Sequence, residues 1–156
     1  MRIDRAPLRM VFAAEEAAVV RGLLEELDAV LGDDGPEAAD DPVRQRLFPS
    51  AYPDDGDAEA EYRSLTESTL RTERVGRVAT CIGELADGGR VDLDDPDAAR
   101  RWLQVLNDLR LALGTRLGVT EEPPEIDPAD PQAQPWLLYG WLTELQDVLV
   151  QAVMRG

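Results

Sequence analysis

Histidine and lysine are both absent from this 156-residue chain, and cysteine occurs once, at Cys81. Without an imidazole there is no Ser-His-Asp triad, no histidine general base and no histidine ligand for zinc. One thiol can form neither an internal disulfide nor a thiolate metal cluster. Aromatic residues make up 5% of the chain. No apolar run nears the ~20 residues that span a bilayer. The first twelve residues carry Arg2, Asp4, Arg5 and Arg9 and lack the apolar core of a signal peptide, so a cytoplasmic location is expected, with no membrane partner.

What the chain has in excess is negative charge. Acids number 32 against 16 basic residues, all arginine, for a net charge of −16. The excess is local: ten acids face two arginines between 33 and 61, and seven face one between 121 and 156. Those stretches are rich in proline and aspartate and read as loops. The 44% apolar share suffices for one core, so residues 1–156 are expected to form a single helical domain.

Apolar periodicity places the helices. From Glu15 to Leu31, Val19, Val20, Leu23, Leu24, Leu27, Val30 and Leu31 share an arc, and Gly32 ends it. Leu8 to Phe12 reads as a short strand, leaving room for a small N-terminal β-hairpin. Asp41-Pro42 opens a minor helical turn that ends at Phe48-Pro49. Asp57 to Ala86 is helical, but its stripe changes phase between Tyr62/Leu65/Thr69 and Val78/Ile82/Leu85. That predicts a kink, or two helices, near Thr72 to Gly76. Asp95 caps and Pro96 starts a helix reaching Leu117-Gly118, with Trp102, Leu106, Leu109, Leu113 and Leu117 as its core stripe. Trp136 to Met154 forms the last helix, with a wide apolar arc. The fold class expected is all-α, a bundle of four to five helices with long acidic loops.

Three groups of residues invite a functional reading. Asn107 and Arg110 lie within the apolar arc of the Asp95–Gly118 helix, where an unpaired polar group costs ~1–3 kcal/mol. They predict a buried polar bridge to Asp108, Glu144 or Asp147, or else a ligand or partner pocket closed by Gly114. Arg63, Arg74 and Arg77 share one helical arc with Arg71 beside it. Such a row either pairs with the acidic loops or contacts DNA phosphates, against the repulsion of the net charge. Cys81, one turn after Arg77, is either a small buried apolar residue or a thiol made redox-reactive by its cationic neighbour. Asp54-Asp55-Gly56-Asp57 and Asp92-Leu93-Asp94-Asp95 lack the spacing of a calcium loop, and Gly88-Gly89 lacks the context of a phosphate loop. No catalytic, cofactor-binding or metal-binding set can be singled out.

The run Trp102-Leu103…Asn107-Asp108-Leu109-Arg110-Leu111-Ala112-Leu113-Gly114…Leu117-Gly118 resembles the hallmark of the AosR-like oxidative-stress transcriptional regulators of high-GC Gram-positive bacteria, formerly a domain-of-unknown-function family. Leu47-Phe48-Pro49…Tyr52…Asp54-Asp55 and Tyr139…Trp141-Leu142…Leu145-Gln146…Leu149-Val150 agree with it. The resemblance implies a non-enzymatic cytoplasmic regulator with RNA polymerase or a sigma factor as partner. It also implies a link to Clp-type proteolysis, which leaves open an adaptor with no nucleic-acid role. A homodimer is expected in either case. A lone Cys81 excludes a switch built on an internal cysteine pair; sensing would need an intermolecular bond or a sulfenate.

Overall fold

The computed structural model describes residues 1–122 and 124–155. Its elements in order are β1 (Arg2–Arg5), β2 (Leu8–Val11), α1 (Ala14–Gly32), α2 (Pro42–Leu47), α3 (Gly56–Leu85), β3 (Arg90–Asp92), α4 (Pro96–Leu117) and α5 (Gln134–Arg155). Single 3-10 turns, Ala38–Asp40 and Pro131–Ala133, precede α2 and α5. No helix among the described residues is long and apolar enough to cross a membrane.

The helix ends follow their capping chemistry. Asp41, Asp55 and Asp95 each accept a backbone N–H in the first turn of α2, α3 and α4, at 2.8, 3.1 and 3.0 Å. Pro42 and Pro96 occupy first-turn positions, where no N–H is required. Gly118 closes α4 with φ +67°, a left-handed conformation suited to glycine.

α4 is the axis of the core. It lies along α5 and contacts α1, α2 and α3. Trp102, Val105, Leu106, Leu109 and Ala112 are buried on it; Leu113 and Leu117 are half-buried, so the stripe turns away from them toward the C-terminal end. Val20, Leu24, Leu27 and Leu31 of α1 and Leu142, Leu145 and Leu149 of α5 complete the same cluster. The segment expected as a minor turn, α2, is part of it: Val43, Leu47 and Phe48 are buried.

Two expectations need correction. The all-α class is too narrow, because the described residues include a three-stranded antiparallel sheet in the order β1-β2-β3. β1 and β2 form the hairpin, and β2 finds a second partner in β3, with Met10 opposite Val91. Gly88 and Gly89, at φ +63° and +74°, turn the chain from α3 into β3. A Cβ on Gly89 would lie 2.7 Å from the Phe12 carbonyl oxygen, too close for any residue but glycine. The alternation of exposed Arg90 and Asp92 with buried Val91 and Leu93 is a strand pattern, sealing one end of the helical core.

The second correction concerns α3: of the two alternatives, a kink or two helices, the second is ruled out, because Gly56–Leu85 runs as one 30-residue helix. Its phase change is tolerated because the two halves do not share a core. Val78, Cys81 and Leu85 are buried, whereas Leu65 is 72% exposed and Leu70 41%.

Leu106, fully buried at the centre of α4, tests the packing. Leu106→Ala is expected to lower unfolding stability by about 2–5 kcal/mol in urea titration, while Leu65→Ala changes it by less than about 0.5 kcal/mol.

Candidate functional site

The arginine row of α3 faces the end of α2. A short helix leaves its last carbonyls without intrahelical partners. Arg74 donates to the Leu47 carbonyl, and Arg63 donates to that of Phe48 at 3.3 Å. The Arg74 guanidinium also lies 4.8 Å from the Phe48 ring centroid, within cation–π range. Arg63, Arg74 and Arg77 line a cavity of about 140 Å³ with Phe48, Tyr62 and Glu67. Most of the row is paired within the chain. Arg63 meets Glu59 and Glu67 at 2.9 and 3.3 Å, Arg71 meets Asp34 at 2.7 Å, and Arg74 meets Asp108 at 3.5 Å. Arg77 makes no ion pair among the described residues, and its Nε is buried without a hydrogen-bond partner.

Asp108 is 4% exposed. Burial holds its carboxyl above the usual aspartate range, while Arg74 and then Arg77 pull it back down. The residue expected to bridge Asn107 or Arg110 thus faces α3 instead. Asn107 is half-buried and makes no side-chain hydrogen bond among the described residues. Arg110, also half-buried, bonds to α5: Nε donates to Thr143 Oγ1 at 3.1 Å, and Nη1 donates to Gln146 Oε1. Neither Glu144 nor Asp147 takes part. The Arg110 guanidinium lies 5.8 Å from the Tyr139 ring centroid, and Gly114 admits that ring: a Cβ there would sit 3.1 Å from Tyr139 Cε2.

Cys81 is fully buried. Its thiol is pushed up to about 12, first by burial and then by the Glu84 carboxylate, against Arg101 and Arg77. Glu84 has its own structural duty, accepting from the Trp102 indole N–H and from Arg101. The sulfur is therefore a protonated thiol in the resting fold.

A further feature lies between α1 and α5. Val19, Leu23, Leu113, Pro135, Leu137, Leu138 and Trp141 line an apolar groove of about 600 Å³, rimmed by Glu15, Glu16 and Glu26. Val19 and Leu137 are 44% and 41% exposed. The wide apolar arc of α5 was legible as core; its width, broader than one buried face requires, was the signal that part of it is left uncovered.

Residues 1–153 match the family model described as "Domain of unknown function (DUF2017)", and the chain belongs to that family. Its named relatives are bacterial regulators. It is 34% identical to the putative oxidative stress regulator AosR of Mycobacterium leprae over 148 residues, covering 84% of this chain and 68% of the relative. It is 32% identical to the oxidative stress regulator AosR of Mycobacterium tuberculosis (strain ATCC 25618 / H37Rv) over 184 aligned residues, covering 97% of this chain and 84% of the relative. No solved structure matches.

Two measurements check the electrostatics. Arg74→Met strands a buried carboxylate and is expected to cost about 3 kcal/mol near neutral pH. A carboxyl whose folded pKa is raised gives stability that is present below its unfolded pKa and is lost as pH rises through the folded one. Removing Arg74 raises the folded value of Asp108 further. The deficit relative to the parent should therefore shrink as pH falls toward the ordinary aspartate range. A deficit constant with pH in urea titrations would exonerate Asp108. Separately, Cys81 should resist iodoacetamide at neutral pH in the native protein and alkylate fully in denaturant, read by intact mass.

Proposed function

We propose that this chain is a non-enzymatic regulator linked to oxidative stress, acting by protein contact through the groove between α1 and α5. The stress link comes from the named relatives. The mode of action is carried by one observation, the uncovered apolar groove with a carboxylate rim. Apolar patches rimmed by polar residues mark protein interaction sites. Within the rim Glu16 pairs with the N-terminal amine and Glu26 with Arg116 at 3.0 Å, so Glu15 and the chain's overall charge of −16 are what favour a partner helix with basic flanks. Such a helix could belong to RNA polymerase, a sigma factor or a protease adaptor. A second copy of this chain would bring a like-charged rim to the same place, so a homodimer through this face is disfavoured.

A direct DNA role is the less supported reading. A phosphate approaching the α3 row must displace Glu59, Glu67, Asp34 or Asp108 from Arg63, Arg71 and Arg74. Arg74 also holds the fold together, so it is a poor probe of DNA contact. Arg71 and Arg77 are the informative positions.

Val19→Asp with Leu137→Asp places two charges on the groove at exposed sites. The double variant should keep native helicity and lose capture of purified polymerase, sigma factor or Clp adaptor by at least about tenfold, a loss of ~1.4 kcal/mol. Capture unaffected by the double variant would exclude the groove. Low-salt mobility shifts of the upstream DNA of its own genes, abolished by Arg71→Ala with Arg77→Ala, would favour the DNA reading.

A further inference from the structure

Arg46 of α2, Arg110, Leu111, Gly114 and Thr115 of α4, Gly118 and Val119 just after it, and Tyr139 of α5 line an open cleft of about 330 Å³. Two guanidinium-bearing residues line it, and among the described residues no carboxylate does. In a chain with twice as many acids as arginines, that is an unusual local balance. Arg46 is exposed and makes no ion pair among the described residues. Arg110 gives Nε and Nη1 to Thr143 and Gln146, both neutral, so its charge is uncompensated by any carboxylate there. Of the last carbonyls of α4, those of Gly114 and Thr115 are occupied: Val119 N–H donates to Gly114 at 2.9 Å and Gly118 N–H to Thr115 at 3.3 Å. The remaining wall is apolar and aromatic, and a side chain at position 114 would narrow it, since its Cβ would meet both Tyr139 and Val119.

We infer that this cleft binds a small organic anion, with its carboxylate or phosphate held by Arg46 and Arg110 and its body against Leu111, Val119 and Tyr139. Arg46, unpaired among the described residues, can offer its whole planar fork to the paired oxygens of such a group, while Arg110, with Nε and Nη1 engaged, adds its charge and Nη2. The site is separate from the α1/α5 groove and stands independently of the regulator reading.

The test titrates the whole chain with phenyl phosphate, benzoate and neutral benzamide at constant ionic strength, following the backbone amide resonances of Leu111, Thr115 and Val119. Saturable shifts are expected with either anion and not with benzamide. Arg46→Gln, at an exposed and unpaired position, should leave the fold unchanged and weaken the anion at least about tenfold. Absence of saturation with both anions, equal shifts with benzamide, or anion affinity unchanged in Arg46→Gln would each overturn the assignment.

Discussion

One guanidinium joins three helices. Arg74 leaves α3, closes the carbonyl end of α2 at Leu47, lies over Phe48 and reaches the buried carboxylate of Asp108 on α4. α2 has six residues, too few to be stable alone. Its position depends on burial of Val43 and Leu47 and on arginines that satisfy its last carbonyls. Arg44 extends the same logic backward, donating to the Asp33 carbonyl just after α1. The arginine-rich, lysine-free composition suits this work, because a planar fork can serve a carbonyl and a carboxylate at once.

Glu84 plays the matching part at the other end of the α3–α4 contact. Trp102 is wholly buried, and its indole N–H requires an acceptor there. Glu84 supplies it and is itself balanced by Arg101. Between them, the Arg74–Asp108 and Glu84–Trp102 contacts fix the register of two helices whose shared apolar surface is confined to the last turns of α3.

The elements legible in the sequence are those whose signals are local. Asp95-Pro96 and Gly118 bracket α4 because capping is chemistry between near neighbours, and the stripe of α1 lies within one arc. β3 was not legible, since three residues with one buried valine become a strand through pairing with β2, some eighty positions away. Two helices in place of a continuous α3 stayed open in the sequence for a related reason. Periodicity assumes that every apolar residue seeks the core, and Leu65 does not. At the candidate sites, the sequence marked Arg110 and Gly114 as belonging together and looked to the last helix for partners, but those are the neutral Thr143 and Gln146 and not Glu144 or Asp147, and Asp108 serves α3. Arg46 had no signal of its own, because its significance is the absence of an acid beside it in space.

The uneven burial of α3 has a consequence for dynamics. Its buried side chains all fall within the final eight residues, while the preceding turns present Leu65 and Leu70 to solvent. Opening those turns exposes little new apolar surface, so their amide protons can exchange through sub-global events that leave the α4-centred core intact. The helix is one element by hydrogen bonding and two by cooperativity, with the boundary where Arg74 fastens it to the rest.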